Sequence, residues 1–174
     1  MIKEYTVKSY FIYHKIANFY PRKDSVNFES SGFRELKNAI NIPSTKIFYR
    51  GNSRYVKFYI VRDSFLHGYI IFDFKEARSE LKSYNVLYKS GLKFAVPHAS
   101  LSKEFSGKGI LFQIYLIALS SGISLLSSAH TKAASNVWDK LATKAGIRNY
   151  WVDTDGIVDK PTRNAVRVLT KSKI

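Results

Sequence analysis

The sequence predicts an α/β protein of the α+β type, with a mixed, mostly antiparallel sheet, a central parallel strand pair and helices on both faces. Three observations predict this class. Strand-like runs dominate the middle of the chain, strands and helices alternate after them, and no linker or repeat interrupts the order. The 174 residues are the size of one ordinary domain, so we expect residues 1–174 to form a single domain.

The first half of the chain is predicted to contain two helices followed by strands. An apolar stripe at helical spacing crosses Ser9–Tyr20, and another crosses Gly32–Ile40, between serine caps and Pro43. The period then becomes strand-like, and Asp63-Ser64 has the composition of a hairpin turn. The expected strands are Lys46–Arg50, Tyr55–Arg62, Leu66–Phe74 and, after a polar break at Lys75–Lys82, Tyr84–Tyr88.

The second half predicts a crossover between two parallel strands. An extended run, Leu92–Ser102, leads through a glycine-rich turn and a helix at about Gly109–Ser121 to a buried strand, Ile123–Ser127. A strand–helix–strand unit of this kind makes parallel neighbours with a right-handed connection. The remaining elements are a helix at about Lys132–Ala145 ended by Gly146, and a strand pair, Tyr150–Asp153 with Ala165–Leu169.

Composition excludes several classes of protein. The chain has no cysteine, which excludes a disulfide framework and thiolate metal sites. The start, Met1–Tyr5, lacks the pattern of a secretory signal, and the longest apolar stretch, Ile110–Leu126, is too interrupted by polar residues for a membrane span. We therefore expect a cytoplasmic protein with no membrane partner. His14 and His67 lie in no cluster of metal-ligand spacing, and no metal site is predicted.

The net charge of +15 predicts attraction to anions. The basic residues are spread over both halves of the chain, with one local concentration after Asp159. The partner that such a field attracts is a nucleic acid, an acidic protein or a phosphate-rich coenzyme. The alternative is a generic solubilising surface, and charge alone does not separate the two.

The glycine-rich turn at Ser106–Leu111 is the segment that predicts chemistry. A strand ends, two glycines follow two residues apart, and an apolar helix begins. The first amides of a helix have no partners inside it, and with the helix dipole they form a site for anions. Gly107 and Gly109 have no Cβ, so a phosphate can approach the backbone closely, and Lys108 adds positive charge. On its own, such a turn also occurs as a tight connection between strand and helix.

The same segment resembles the coenzyme-binding motif of the GNAT superfamily of acyl-CoA N-acyltransferases, an Arg/Gln-Gly-x-Gly-x-Gly/Ala turn that opens a helix. The resemblance extends through Gly122–Ser128, His130-Thr131 and Ala134–Leu141, a version similar to small phage-encoded GNAT proteins. It covers Val96–Gly146, roughly a third of the chain. If the chain is phage-encoded, the expected cytoplasm is that of the host.

The resemblance implies direct transfer of an acetyl group from acetyl-CoA to an amine on a small molecule, a protein or a nucleic acid. The diphosphate of the coenzyme would lie on the turn amides, and its pantetheine arm between the splayed strands Leu92–Ser102 and Ile123–Ser127. The residues that the resemblance places at the coenzyme are Leu101, Ser102, Ser106, Gly107, Lys108, Gly109, Ile110, Leu111, Ser127, Thr131 and Trp138. For Trp138, packing in the core is the favoured interpretation, and for Ser127 and Thr131 solvation of a strand end and a helix cap is an alternative.

The attacking amine needs a base that titrates near neutral pH. His98 on the fourth strand of the motif and His130 after the fifth are the candidates, each with a packing or capping role as the alternative. Three positions depart from the motif: Ser106 replaces Arg or Gln, Leu111 replaces a small residue, and Trp138 replaces a Tyr that protonates the thiolate in many members. These departures leave open a second function, a basic GNAT-like module without catalysis that binds nucleic acid or an acidic host protein.

Overall fold

The computed structural model describes residues 22–23, 32–127 and 132–174, with side chains from residue 32 to 127 and from 134 onward. The described strands are β1 (Arg22–Lys23), β2 (Arg34–Glu35), β3 (Thr45–Gly51), β4 (Tyr55–Arg62), β5 (Phe65–Asp73), β6 (Lys93–Leu101), β7 (Ile123–Ser127), β8 (Arg148–Val152), β9 (Ile157–Val158) and β10 (Val166–Thr170). The described helices are α1 (Phe74–Glu80), α2 (Asn85–Lys89), α3 (Ile110–Ser120) and α4 (Lys132–Ala142). None of these helices has the length and apolar character needed to cross a membrane.

The strands form a mixed sheet whose hydrogen-bonded order is β2-β3-β4-β5-β6-β7-β10-β8-β9, with β1 on β5. The pairs β2–β3, β3–β4, β7–β10, β10–β8 and β8–β9 are antiparallel, whereas β6 and β7 are parallel. The predicted fold class, with a parallel pair in a mostly antiparallel sheet, is confirmed. The Asp63-Ser64 hairpin is confirmed as well, since both residues adopt positive φ, 50° and 64°.

Residue contacts divide the chain into two compact units. The first consists of the described residues up to Gly51, together with Val56–Ile71 and Ala99–Ile110. The second consists of Asn52–Tyr55, Phe72–His98 and Leu111–Ile174. Strands β5 and β6 each contribute residues to both units. The expectation of a single domain over residues 1–174 stays a prediction.

The helix predicted over Gly32–Ile40 is wrong. This segment contains the short strand β2, which pairs with β3 at Arg34↔Tyr49, and the Leu36 amide donates to the Ile47 carbonyl. Gly32 and Asn38 adopt positive φ, 78° and 61°, a region that a right-handed helix does not use. The helix predicted over Ser9–Tyr20 lies outside the described residues.

The polar break at Lys75–Lys82 and the extended run at Tyr84–Tyr88 are also wrong, because helices α1 and α2 occupy them. Asp73 is extended, and its carboxylate accepts a 2.8 Å hydrogen bond from the Glu76 amide, which starts α1. Phe74, Ala77 and Leu81 are buried at helical spacing. Lys75, Arg78 and Ser79 between them are exposed, whereas Glu76 and Glu80 are half-buried.

Strand β5 approaches the end of β6 closely at Gly68, within the first unit. A Cβ at this glycine would lie 2.6 Å from the Ser100 carbonyl oxygen and 2.7 Å from Leu101 Cδ2. Beside it, the Ser102 amide donates a 2.7 Å hydrogen bond to the His67 carbonyl. Gly68 is therefore required for space, not for backbone conformation.

We expect Gly68→Ala to lower the free energy of unfolding by about 2–3 kcal/mol, because the added methyl group meets a fixed carbonyl. Gly91→Ala is the matched control: its φ is 68° and a Cβ there has no neighbour within 4 Å, so it should cost about 1 kcal/mol of backbone strain. Urea unfolding of both variants measures the difference. A Gly68→Ala protein as stable as the wild type would contradict the close approach.

Candidate functional site

The turn at Ser106–Gly109 ends the first unit and leads into α3. All four residues are exposed, and Gly107 and Gly109 adopt positive φ, 74° and 78°. A Cβ at either glycine would have no protein atom within 4 Å. The Cβ positions of both glycines therefore face open space, which leaves room for an anion beside the backbone. Positive φ is a second and separate reason for glycine at these positions. This geometry fits the phosphate-bearing coenzyme that the motif implies.

The residues just before the turn are held by His67 on β5. Ser102 is 1% exposed, and its Oγ lies 3.1 Å from His67 Nδ1. The Ser102 carbonyl accepts from the Ser106 amide at 3.2 Å, and the Phe105 ring packs edge-on against the imidazole, with centroids 4.7 Å apart. The side chain of Ser102 is therefore buried in a structural contact, and its predicted place at the coenzyme stays a prediction.

Charged groups surround the same imidazole. Arg62 Nη1 donates to Glu104 Oε1, and Glu104 Oε2 lies 3.6 Å from His67 Nδ1. Burial lowers the pKa of His67, and Arg62 lowers it further, while Glu104 and Asp63 oppose the shift. His67 is thus held towards its neutral form, in which it can share a hydrogen bond with a hydroxyl.

In the second unit, the parallel pairing of β6 and β7 is short. The paired register consists of Lys93↔Ile123, Phe94↔Ser124 and Ala95↔Leu125. Both strands continue beyond Ala95↔Leu125, and β6 reaches Pro97, which has no amide hydrogen to donate, two positions later. The splay of these strands around pantetheine, which the resemblance implies, stays a prediction.

His98 lies on β6 one residue after Pro97 and has a carboxylate partner that the sequence did not reveal. Its Nε2 lies 2.5 Å from Glu76 Oε2 on α1, and the imidazole is only 18% exposed. Because a carboxylate can only accept, the ring nitrogen donates. The pair is an arrangement in which a carboxylate orients an imidazole.

Further acidic groups lie close to this pair. Burial raises the pKa of Glu80, and the charge of Glu76 raises it further, whereas His98 acts in the opposite direction. Asp73, Glu76 and His98 offer ligand atoms within 4.8 Å of one another, a donor set that suits a divalent cation. The cap made by Asp73 and the hydrogen bond between the other two account for this grouping without an ion.

The remaining predicted site residues differ in exposure. Trp138 is 1% exposed and lies under the Arg167 guanidinium, which agrees with the favoured core interpretation, and its predicted role at the coenzyme stays a prediction. The side chains of Ile110 and Ser127 are also buried, Leu101 and Leu111 are half-buried, and Lys108 is exposed. His130 and Thr131 lie outside the described residues. The coenzyme contacts of Ser106–Leu111 stay predictions.

The sequence did not predict the two carboxylates that contact these histidines, Glu76 beside His98 and Glu104 beside His67. Glu76 is 22 positions from His98, and Glu104 is 42 positions from Arg62. One signal was available, because Asp73 and Glu76 have the Asp-x-x-Glu spacing of a capping box, which predicts a helix start at Phe74. No local pattern indicates which histidine a carboxylate on that helix would reach.

Comparison with known proteins includes a distant likeness to a solved structure. No protein-family model matches the chain, and no curated protein matches it. Among solved structures, the chain is similar to the crystal structure of a probable acetyltransferase, with a TM-score of 0.36 and 15% identity. The likeness covers 67% of this chain and 61% of that chain, and it is too distant to support a conclusion about activity.

The lowered pKa of His67 predicts how stability changes with pH. An unfolded histidine takes up its proton near pH 6.5, whereas the folded protein resists protonation until lower pH, so the free energy of unfolding should fall as the pH drops below about 6.5. His67→Asn should remove this contribution and flatten the profile between pH 7 and 5. Urea unfolding across that range tests it, and identical profiles for both proteins would contradict the assignment.

Proposed function

We propose that this protein is an acyl-CoA-dependent N-acetyltransferase that moves an acetyl group from acetyl-CoA to an amine. The observation that supports the proposal most is the turn at Ser106–Gly109, with two open glycines of positive φ before an eleven-residue helix. The turn lies in a motif similar to that of the GNAT superfamily, and this resemblance implies that the bound anion is the diphosphate of acetyl-CoA. A diphosphate is the group that such amides hold well.

The binding chemistry in this proposal belongs to the backbone. The amides of Gly107–Leu111 bind the diphosphate, and Lys108 adds a neutralising charge from its exposed side chain. Ser106 has a shorter side chain than the Arg or Gln of the motif, and this difference does not remove any backbone amide. Leu111 is half-buried, so part of its bulk is taken up by protein packing. Bound acetyl-CoA supplies the activated acyl group.

The catalytic chemistry in this proposal belongs to His98 and Glu76. His98 accepts the proton that the attacking amine loses, and Glu76 keeps the ring oriented through its 2.5 Å contact and stabilises the resulting imidazolium. The role of acid towards the thiolate falls to water or to a group that the motif does not identify, since Trp138 is buried and an indole is not acidic enough. The acceptor is an amine of unassigned size.

Replacing both turn glycines should weaken coenzyme binding. In Gly107→Ala/Gly109→Ala the new methyl groups project into the open space over the amides, so we expect the Kd for acetyl-CoA to rise by at least about tenfold through loss of phosphate contacts. Isothermal titration calorimetry measures the change. Unaltered affinity in this variant would refute the assignment of the turn.

A matched control is available in the same chain. Gly122 and Gly146 have φ of 84° and 79° and equally open Cβ positions, so Gly122→Ala/Gly146→Ala carries the same backbone strain away from the turn. We expect similar losses of stability in the two double variants and normal acetyl-CoA affinity in the control. An equal loss of affinity in both would mean that strain, and not the turn, is responsible.

The histidine–carboxylate pair should affect turnover more than binding. We expect His98→Ala to lower kcat about 100-fold or more and Glu76→Gln about tenfold, with the Kd for acetyl-CoA unchanged in both. Glu80→Gln, one helical turn further along α1, is the control and should have a smaller effect than Glu76→Gln. Normal turnover in His98→Ala would remove this residue from the mechanism.

Thiol release from acetyl-CoA, measured over a panel of primary amines, is the suitable assay for these variants. Because the chain has no cysteine, every thiol detected comes from the coenzyme. The same panel reports the acceptor class, which the described residues do not specify.

The charge of +15 and the departures at Ser106, Leu111 and Trp138 favour a second candidate function, a basic module of the same fold that binds nucleic acid or an acidic protein without catalysis. Calorimetric titration of the wild-type protein with acetyl-CoA distinguishes this function from acetyl transfer. A wild-type protein that binds no acetyl-CoA but retains oligonucleotides with a steep dependence on salt would support the second.

A further inference from the structure

We infer that His67 and Ser102 are positioning residues for the anion-binding turn, an inference that rests on the proposed function. His67 lies outside the motif, and the hydroxyl of Ser102, a residue that the resemblance places at the coenzyme, is buried against His67. Their contacts instead fix the four residues of chain, Ser102–Phe105, that connect β6 to the turn. The position of Ser102, where this connection begins, and the contacts along the connection determine how the turn amides are oriented.

Four contacts converge on the connection within the first unit. The Ser102 amide donates to the His67 carbonyl at 2.7 Å, and the Ser102 hydroxyl and His67 Nδ1 are 3.1 Å apart. The Phe105 ring packs against the imidazole, and Arg62 binds Glu104. The connection is therefore held at its start, its middle and its end.

The Ser102 carbonyl transmits this position to the turn. It accepts from the Phe105 amide at 3.0 Å and from the Ser106 amide at 3.2 Å, and the Ser106 hydroxyl lies 3.4 Å from it. Ser106 then leads into Gly107 and Gly109. A shift of Ser102 would move the first residue of the turn directly, while the remote elements of the first unit would keep their packing.

The burial of the serine hydroxyl makes the role testable. A hydroxyl that is 1% exposed and bonded to a single imidazole can be removed without leaving a large cavity. Ser124 is an equivalent control in the second unit, since it is 3% exposed and its Oγ donates to Thr170 Oγ1 at 2.8 Å. Both Ser→Ala changes delete one buried hydroxyl contact.

The test compares two acyl donors, acetyl-CoA and S-acetylpantetheine, which lacks the diphosphate. In Ser102→Ala we expect the KM for acetyl-CoA to rise roughly three- to tenfold, the usual effect of losing one hydrogen bond, and the KM for S-acetylpantetheine to stay unchanged. Ser124→Ala should change neither KM. A purely structural role for Ser102 would raise both values or neither, which would overturn the inference.

Variants of His67 provide a second measurement. His67→Leu should reproduce the acetyl-CoA defect of Ser102→Ala, and His67→Asn should restore most of the affinity, because an amide can bond the Ser102 hydroxyl as Nδ1 does. Failure of His67→Asn to rescue, with both proteins folded by circular dichroism, would contradict the inference. If wild-type protein binds acetyl-CoA and Ser102→Ala binds it equally well, only the positioning role fails; if wild type binds none, the proposed function fails and the role falls with it.

Discussion

The hydrogen-bonded contact between His67 and Ser102 is the constraint on which the proposed coenzyme turn depends. It exists because Gly68 lets β5 approach the end of β6 to a distance that no other residue would permit. That approach buries a serine hydroxyl and an imidazole together, and burial lowers the pKa of His67. The exposed turn consequently follows a strand end that is held by buried contacts, and such support favours preorganised binding.

The second unit contains a contrasting electrostatic environment. The chain as a whole has a net charge of +15, yet Asp73, Glu76 and Glu80 gather around His98. A basic surface attracts an anionic coenzyme, whereas a local group of acids beside a histidine suits the removal of a proton from an amine.

The sequence predicted the elements with strong periodicity and missed those that depend on partners. Strand Ile123–Ser127 and the helices after the turn and after β7 begin at or next to the expected residues, because their apolar runs and glycine ends are local signals. Helix α1 was missed because its buried face consists of only Phe74, Ala77 and Leu81 among charged residues. The turn of the candidate site was read from its glycines, whereas Glu76 and His67 take their places through contacts distant in sequence.

Backbone amide NMR during titration with acetyl-CoA tests the central claim most directly, since it reports on each turn nitrogen separately. The account predicts large, saturable shifts of the Gly107, Gly109 and Ile110 amides, at a midpoint equal to the Kd from calorimetry. Shifts confined to other parts of the chain, or no shifts at saturating coenzyme, would contradict it.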